Sequence, residues 1–238
     1  MINYKFIKIE KKKETFKILL NRPRSLNALS TKTLKEITSI CNEIALDNKI
    51  NFVVFGTTSK NFSAGADLKE KNTNMSLSNA WHENAGRRCI DSILNLPQIT
   101  FCQIEGFCLG GGAVIASACD FRLGQENSII GYPEVELGMN LSWFGLPLAI
   151  SAMGLANAKS MIMSGEKLNC KEMLNNGFLN ASFEAHQKDQ CLKKWLNKFK
   201  GLPELQLKMI KKSANEIALS GAKGVMHMEF DQFLLGKK

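Results

Sequence analysis

The sequence predicts an α/β fold with crossover connections, and three observations carry that expectation. Short continuous apolar runs alternate with runs at helical spacing up to Ser182. A glycine-rich stretch, Gly106-Phe107-Cys108-Leu109-Gly110-Gly111-Gly112, joins an apolar strand run (Ile99 to Ile104) to a small-residue helical run (Ala113 to Cys119). From Ala185 onward only helical patterns remain. Residues 1–184 are therefore expected to form a mixed α/β core and residues 185–238 a helical region too small to fold alone.

In chain order, Tyr4, Phe6, Ile7 and Ile9 and then Phe16, Ile18 and Leu20 form a hairpin around Lys11–Glu14. The alternation slips at Phe6-Ile7, which predicts a bulge or a strand buried on both faces. Asn21-Arg22-Pro23-Arg24-Ser25-Leu26-Asn27 is a loop, where Pro23 ends ladder pairing. Ser30 caps a helix through Leu34, Ile37, Ile40, Cys41 and Ile44. Phe52–Phe55 is a strand ending at Gly56, and 61–67 is a second loop. Residues 71–81 carry no period and read as a mobile loop, before a helix that stops ahead of Pro97. Strands at 121–123 and 129–130 precede helical runs at 146–154 and 156–164. Asn169-Cys170-Lys171-Glu172 is a capping box, with Gly177 closing its helix. Helical patterns at Cys191–Phe199, Leu205–Ile210 and Val225–Leu235 complete the chain.

Composition bounds the function classes. No stretch is read as the ~20 apolar residues of a membrane span, and the N-terminus lacks a secretory or transit pattern, so a cytoplasmic location is expected. Seven cysteines without a CxxC pair, most of them inside apolar runs, read as reduced thiols rather than metal ligands. The net charge is +9, and residues 186–238 hold eleven lysines against five acids. That tail has no arginine and few aromatics, which argues against nucleic acid as the partner.

Glycines at a strand-to-helix junction cost backbone entropy but let a ligand approach free N–H groups. The run lacks Gly-Lys-Ser/Thr and is not G-x-G-x-x-G, so neither common phosphate loop fits. A tight turn and an oxyanion hole remain. A hole needs a second donor segment, and the glycine-flanked turn Ser63-Ala64-Gly65-Ala66-Asp67 is the natural partner.

Asn21-Arg22-Pro23 with Leu26-Asn27-Ala28-Leu29, then Phe62-Ser63-Ala64-Gly65-Ala66-Asp67-Leu68-Lys69, resemble the crotonase (enoyl-CoA hydratase/isomerase) family. So do Gly106–Gly112 with Cys119-Asp120, Pro133-Glu134-Val135-Glu136-Leu137-Gly138, and Gly165-Glu166 to Gly177. The resemblance implies a crotonase-like spiral of ββα units with a C-terminal helical trimerisation region, giving a homotrimer or a dimer of trimers. It implies that the amides of Ala66 and Gly111 hold the thioester oxygen of an acyl-CoA, with no cofactor beyond the coenzyme A the substrate carries. It also implies substrate contacts from Arg24, Leu26, Ala28, Ala64, Asp67, Leu68, Lys69, Gly110, Pro133 and Gly138, with Arg24 and Lys69 near phosphates.

The catalytic acids depart from the family. Hydratases use two glutamates; the second matches Glu134, but the first falls on Val114, placed to touch the acyl chain. One remaining carboxylate favours proton relocation, a Δ3,Δ2-enoyl-CoA isomerisation with Glu134 as single acid/base. Weak hydration, decarboxylation, thioester hydrolysis and a non-catalytic CoA- or RNA-binding scaffold are the alternatives. Glu105, Glu136 and His82 are candidate substitutes for the missing acid, though each reads more readily as a surface or structural group. A Pro-Gly-x-Gly-Gly turn common in hydratases is replaced here by Asn140-Leu141-Ser142-Trp143-Phe144-Gly145, where Trp143 and Phe144 narrow or reshape the acyl pocket. The C-terminal helical region is shorter than is usual for the family.

Overall fold

A computed structural model describes residues 4–70 and 84–223 of the chain. The main sheet has six strands in the order β1 (Ile7–Lys12), β2 (Thr15–Leu20), β3 (Phe52–Thr57), β4 (Ile99–Ile104), β6 (Phe121–Gln125) and β9 (Ala181–Phe183), and a second, smaller sheet has the order β5 (Phe107–Leu109), β7 (Ile129–Gly131) and β8 (Lys167–Asn169). Strands β1 (Ile7–Lys12) and β2 (Thr15–Leu20) form the antiparallel hairpin. Its turn is Lys13-Glu14, so Lys11 and Lys12 belong to β1 rather than to the turn. The slip at Phe6-Ile7 is neither a bulge nor two-sided burial: β1 begins at Ile7, and Phe6 precedes it with its ring under the Arg22 guanidinium.

Helix α1 (Thr31–Ile44) follows, with the Ser30 hydroxyl accepting from the Thr33 amide and Leu34, Ile37, Ile40, Cys41 and Ile44 buried. It crosses to β3 (Phe52–Thr57), parallel to β2 and running past Gly56, where the sequence placed its end. Helix α2 (Ala85–Leu94) leads to β4 (Ile99–Ile104), parallel to β3. Both strands are buried along their whole length, as expected for parallel strands covered on two sides.

The ββα repeat now becomes visible. Four of the main-sheet strands are each followed by a short segment in the second layer and then by a helix. After β4 come β5 (Phe107–Leu109) and α3 (Gly111–Ser117). After β6 (Phe121–Gln125) come β7 (Ile129–Gly131), a 3₁₀ turn (Pro133–Leu137) and α4 (Gly145–Ser164). After β3, the 61–67 loop takes the second-layer place through a Ser63–Cys108 bridge, and Leu29 does so after β2 through a bridge to Ala66. Strands β8 (Lys167–Asn169) and β9 (Ala181–Phe183) complete the sheets around α5 (Cys170–Asn175), which carries the expected Asn169/Glu172 capping box. β5, β8 and β9 are three residues each, too short for a periodicity to reveal, and the sequence reading missed them.

Helix α4 is long and apolar enough on average to cross a membrane, which the sequence reading did not anticipate. It is nevertheless broken at Gly154 (φ +78°), between the two helical runs the sequence indicated, and buries Leu148, Ala149, Met153, Ala158 and Met161 in the core. The opposite face of the main sheet is closed by α6 (Lys188–Asn197): Leu192 and Leu196 pack with Phe52, Val54, Phe101 and Leu123. An aromatic layer continues there, with Phe121 5.2 Å from both Trp195 and Phe199. Helix α7 (Glu204–Lys223) is anchored by Lys211, whose ammonium meets Asp120 at 2.8 Å and the Gln98 carbonyl at 2.7 Å. Asp120 also accepts from the Thr100 amide at 2.7 Å. The 71–81 loop and the Val225–Leu235 pattern lie outside the described residues.

The Lys211 side chain is almost fully buried, so removing its charge leaves the Asp120 carboxylate covered and short of a partner. Lys211→Met is expected to lower the unfolding free energy by about 3 kcal/mol in urea titration, with α7 losing amide-exchange protection first.

Candidate active site

Three backbone segments converge through the second layer, and their local chemistry explains why. The 22–27 loop contains a 3₁₀ turn (Pro23–Ser25) and ends with Leu26 and Asn27 both left-handed (φ +50° and +54°). Asparagine tolerates that region better than most residues, and here every polar atom of its buried side chain is used. Its Oδ1 accepts from the Arg22 amide at 2.7 Å, and its Nδ2 donates to Thr57 Oγ1 and the Asn61 carbonyl, both at 2.8 Å. The Asn27 carbonyl accepts from Ser63 Oγ at 2.8 Å, and that same Oγ accepts from the Gly65 amide at 3.1 Å. Arg22 grips the 63–67 turn from the other side: one guanidinium nitrogen meets Asp67 Oδ2 at 2.9 Å, and another donates to the Ala28 carbonyl.

The Leu29 amide donates to the Gly65 carbonyl and the Asp67 amide to the Leu29 carbonyl. Pairing therefore passes through Gly65 and Asp67 and skips Ala66, whose N–H has no acceptor among the described residues. The turn then meets the glycine run backbone to backbone. Gly65 has φ +96°, and a Cβ on it would lie 3.0 Å from the Leu109 carbonyl oxygen and 3.6 Å from Gly110 Cα. A Cβ on Gly112 would lie 2.8 Å from Ser63 Cβ. Gly110 (φ +51°) donates to the Gly131 carbonyl, and the first bond within α3 is Val114 N–H to the Gly110 carbonyl. The Gly111 N–H has no acceptor among the described residues. The Gly112 and Ala113 amides likewise have no acceptor among the described residues, and two of these donors, Ala66 and Gly111, belong to residues that directly follow glycines in mutual contact.

Glu134 reaches the same place from the 3₁₀ turn after β7, which is anchored by the buried Tyr132 hydroxyl hydrogen-bonded to Ser117 Oγ at 2.6 Å. A Cβ on Gly110 would lie 2.7 Å from Glu134 Oε1. Oε2 is covered and has no hydrogen-bond partner among the described residues. Burial without a compensating charge pushes the Glu134 carboxyl up to about 7. Val114, one turn into α3, is buried and apolar, with Leu141 and Gly145 facing it across the helix contact. Trp143 lies against both Gly86 and Gly111.

The structure therefore brings Glu134, Ala66, Gly110, Gly111, Val114 and Trp143 together. Pro133 and Gly138 open and close the turn that carries Glu134. Arg24, Leu26, Ala64, Leu68 and Lys69 form an exposed rim beside Ala66, with Leu26 46% and Leu68 65% accessible. Asp67 and Ala28 also hold the turn: the Asp67 carboxylate accepts from Arg22 and from the Lys69 amide, and the Ala28 carbonyl accepts from Arg22. Glu136 lies on the 3₁₀ turn and pairs with Lys167 at 2.7 Å. Glu105 pairs with Lys188, and His82 lies outside the described residues. The sequence reading missed the clamp roles of Arg22 and Asn27, where the signal was an Asn next to a turn. It also missed Gly86, whose partner is 57 positions away and left no local trace. Among the described residues no three His, Cys, Asp or Glu side chains gather as metal ligands.

A sequence model described as enoyl-CoA hydratase/isomerase matches residues 10–237. The chain is 29% identical over 208 residues to a short-chain-enoyl-CoA hydratase of Clostridium acetobutylicum, covering 87% of this chain and 80% of that protein. It is 33% identical over 201 residues to a probable mitochondrial enoyl-CoA hydratase 2 of Arabidopsis thaliana, covering 83% and 66%. In three dimensions it matches an enoyl-CoA hydratase from Mycobacterium avium subsp. paratuberculosis K-10 with a TM-score of 0.90, 23% identity, and coverage of 100% of this chain and 96% of that one.

A raised carboxyl makes a prediction about stability. The stability that a protonated Glu134 retains below about pH 4.5 is lost as pH rises through about 7, because the charged form must then be buried. Glu134→Gln removes that loss. The variant is expected to be more stable than the wild type by roughly 1–3 kcal/mol at pH 8 in thermal or urea unfolding, with the difference shrinking toward pH 5.

Proposed function

This chain belongs to the enoyl-CoA hydratase/isomerase family, and we propose that it moves the double bond of a 3-enoyl-CoA to the 2-position, with Glu134 as the single acid and base. The observation that carries this reading is one carboxyl with a covered, unpartnered oxygen beside the glycine turn, facing a site where position 114 offers only a buried valine. Hydration needs a water activated on one carbon and a proton delivered to the other. Proton relocation needs one group that takes and returns the same proton.

In this mechanism the Glu134 carboxylate removes a proton from C2. The C–H electron pair becomes the C1–C2 double bond of a dienolate, and the thioester oxygen takes up negative charge. The free N–H groups of Ala66 and Gly111 donate to that oxygen, and each such donor is typically worth about 2.7–4 kcal/mol of barrier. On collapse the carbonyl reforms, the C1–C2 pair shifts to C2–C3, and the old double-bond pair takes the proton back from Glu134 at C4. Arg24 and Lys69 on the exposed rim suit the phosphates of coenzyme A, and Leu26, Ala64 and Leu68 suit its pantetheine arm. The exposed apolar side chains Leu205, Met209, Ile210 and Ile217 of α7 suit contacts between copies in a trimer.

The names of the relatives favour a second reading, enoyl-CoA hydration. Assaying a 3-enoyl-CoA and crotonyl-CoA side by side separates the two. We expect isomerisation at a rate that falls by about 10²–10⁴ in Glu134→Gln, and crotonyl-CoA hydration that is slower by a comparable factor in the wild type. Efficient hydration of crotonyl-CoA would overturn the single-carboxylate mechanism. Because the carboxylate is the reactive form, kcat/KM for isomerisation should rise about tenfold per pH unit below about 7 and level off above it.

A further inference from the structure

We propose that Trp143 sets the acyl-length limit of this site, its indole filling the space beside Gly111 that a long acyl chain would need. The inference rests on the acyl-CoA reading above and concerns which acyl groups that site accepts. The indole lies between two helices at positions where each has only a glycine. A Cβ on Gly86, in the first turn of α2, would fall 2.0 Å from Trp143 Cε2, and one on Gly111, which opens α3, would fall 2.2 Å from Cζ3. One ring system therefore spans the gap from α2 to the residue whose amide is free.

The wedge is held in place rather than hung on a loose loop. The Ser142 carbonyl accepts from Asn84 Nδ2 at 3.2 Å, at the residue that caps α2. Phe144, left-handed at φ +67° and buried, has the Arg87 guanidinium 4.3 Å above its ring, and Arg87 is itself fixed to Asp91 at 2.9 Å. The indole itself is partly buried and packs against the core cluster that holds Val114, Leu141 and Phe144. Glu134 touches Gly110 and Trp143 touches Gly111, so the reacting carboxylate and the wall are one residue apart along the turn. With the coenzyme at the exposed rim, acyl carbons a short way past the reacting ones meet the indole.

An open apolar pocket gains about fourfold in affinity per methylene buried, whereas a blocked one loses affinity once the chain exceeds its depth. The test is calorimetric titration of the wild type, Trp143→Ala and Trp143→Phe with butyryl-, hexanoyl-, octanoyl- and decanoyl-CoA beside free coenzyme A. We expect the wild type to bind butyryl-CoA about tenfold or more tighter than decanoyl-CoA, Trp143→Ala to level or reverse that ratio, and Trp143→Phe to fall between. Affinity that rises steadily to decanoyl-CoA in the wild type would overturn the proposal, even if the alanine variant fails to fold. So would an unchanged length profile in a folded Trp143→Ala. Binding is read without turnover, so a short-chain profile in a protein that isomerises nothing rejects the mechanism above and leaves the Trp143 wall standing. No affinity for any acyl-CoA above free coenzyme A would reject both.

Discussion

The contact between the 63–67 turn and the 109–112 turn is the constraint on which the rest of the site depends. Backbone can approach backbone this closely only where side chains are missing, and Gly65 and Gly112 are the positions where a Cβ would crowd the facing turn. Main-chain bonds that run from Leu29 through Gly65 and Asp67, and from Ser63 to Leu109, leave the Ala66 amide and the first amides of α3, Gly111 among them, without acceptors among the described residues. The free amides are thus a by-product of a pairing pattern. Asn27 and Arg22 keep that pattern rigid, with their polar atoms committed to Ser63, Thr57, Asn61 and Asp67. Rigid donors need no reorganisation as charge develops on an oxygen, which is where such a site gains its advantage over water.

The same close approach tunes Glu134. With Gly110 in place of a side-chain-bearing residue, the carboxyl settles against the turn and loses its solvent on one oxygen. That desolvation destabilises the folded protein at neutral pH and brings the carboxyl toward the range where a base works best. Under the proposed mechanism, stability and reactivity pull in opposite directions at this residue. At Val114 the trade is absent, because a buried valine beside Leu141 and Gly145 only stabilises.

The parts of the fold that were legible in the sequence are those with long local signals. Helix α1 with its Ser30 cap, the capping box at Asn169 and the break at Gly154 each follow from residues within one or two turns of each other. The three-residue strands β5, β8 and β9 were invisible because they exist only through partners distant in sequence. In the site, glycines and Glu134 stood out as motif residues and the structure gathers them. What the motif could not convey was how its members divide the work. That Asp67 holds the turn through Arg22 was not legible, because an ion pair across 45 positions has no signature in either neighbourhood. Gly86 drew no notice, since a glycine in a first helical turn is ordinary until Trp143 is seen lying on it.

The central claim is that one carboxylate carries one proton from C2 to C4 and adds no water. Its most direct measurement uses a short 3-enoyl-CoA deuterated at C2, incubated with the wild-type protein in ¹⁸O-labelled water and read by mass spectrometry at early conversion. The expected product is a 2-enoyl-CoA in which part of the deuterium reappears at C4 and no ¹⁸O is incorporated. A product carrying ¹⁸O at C3, formed as fast as the isomer or faster, would contradict it.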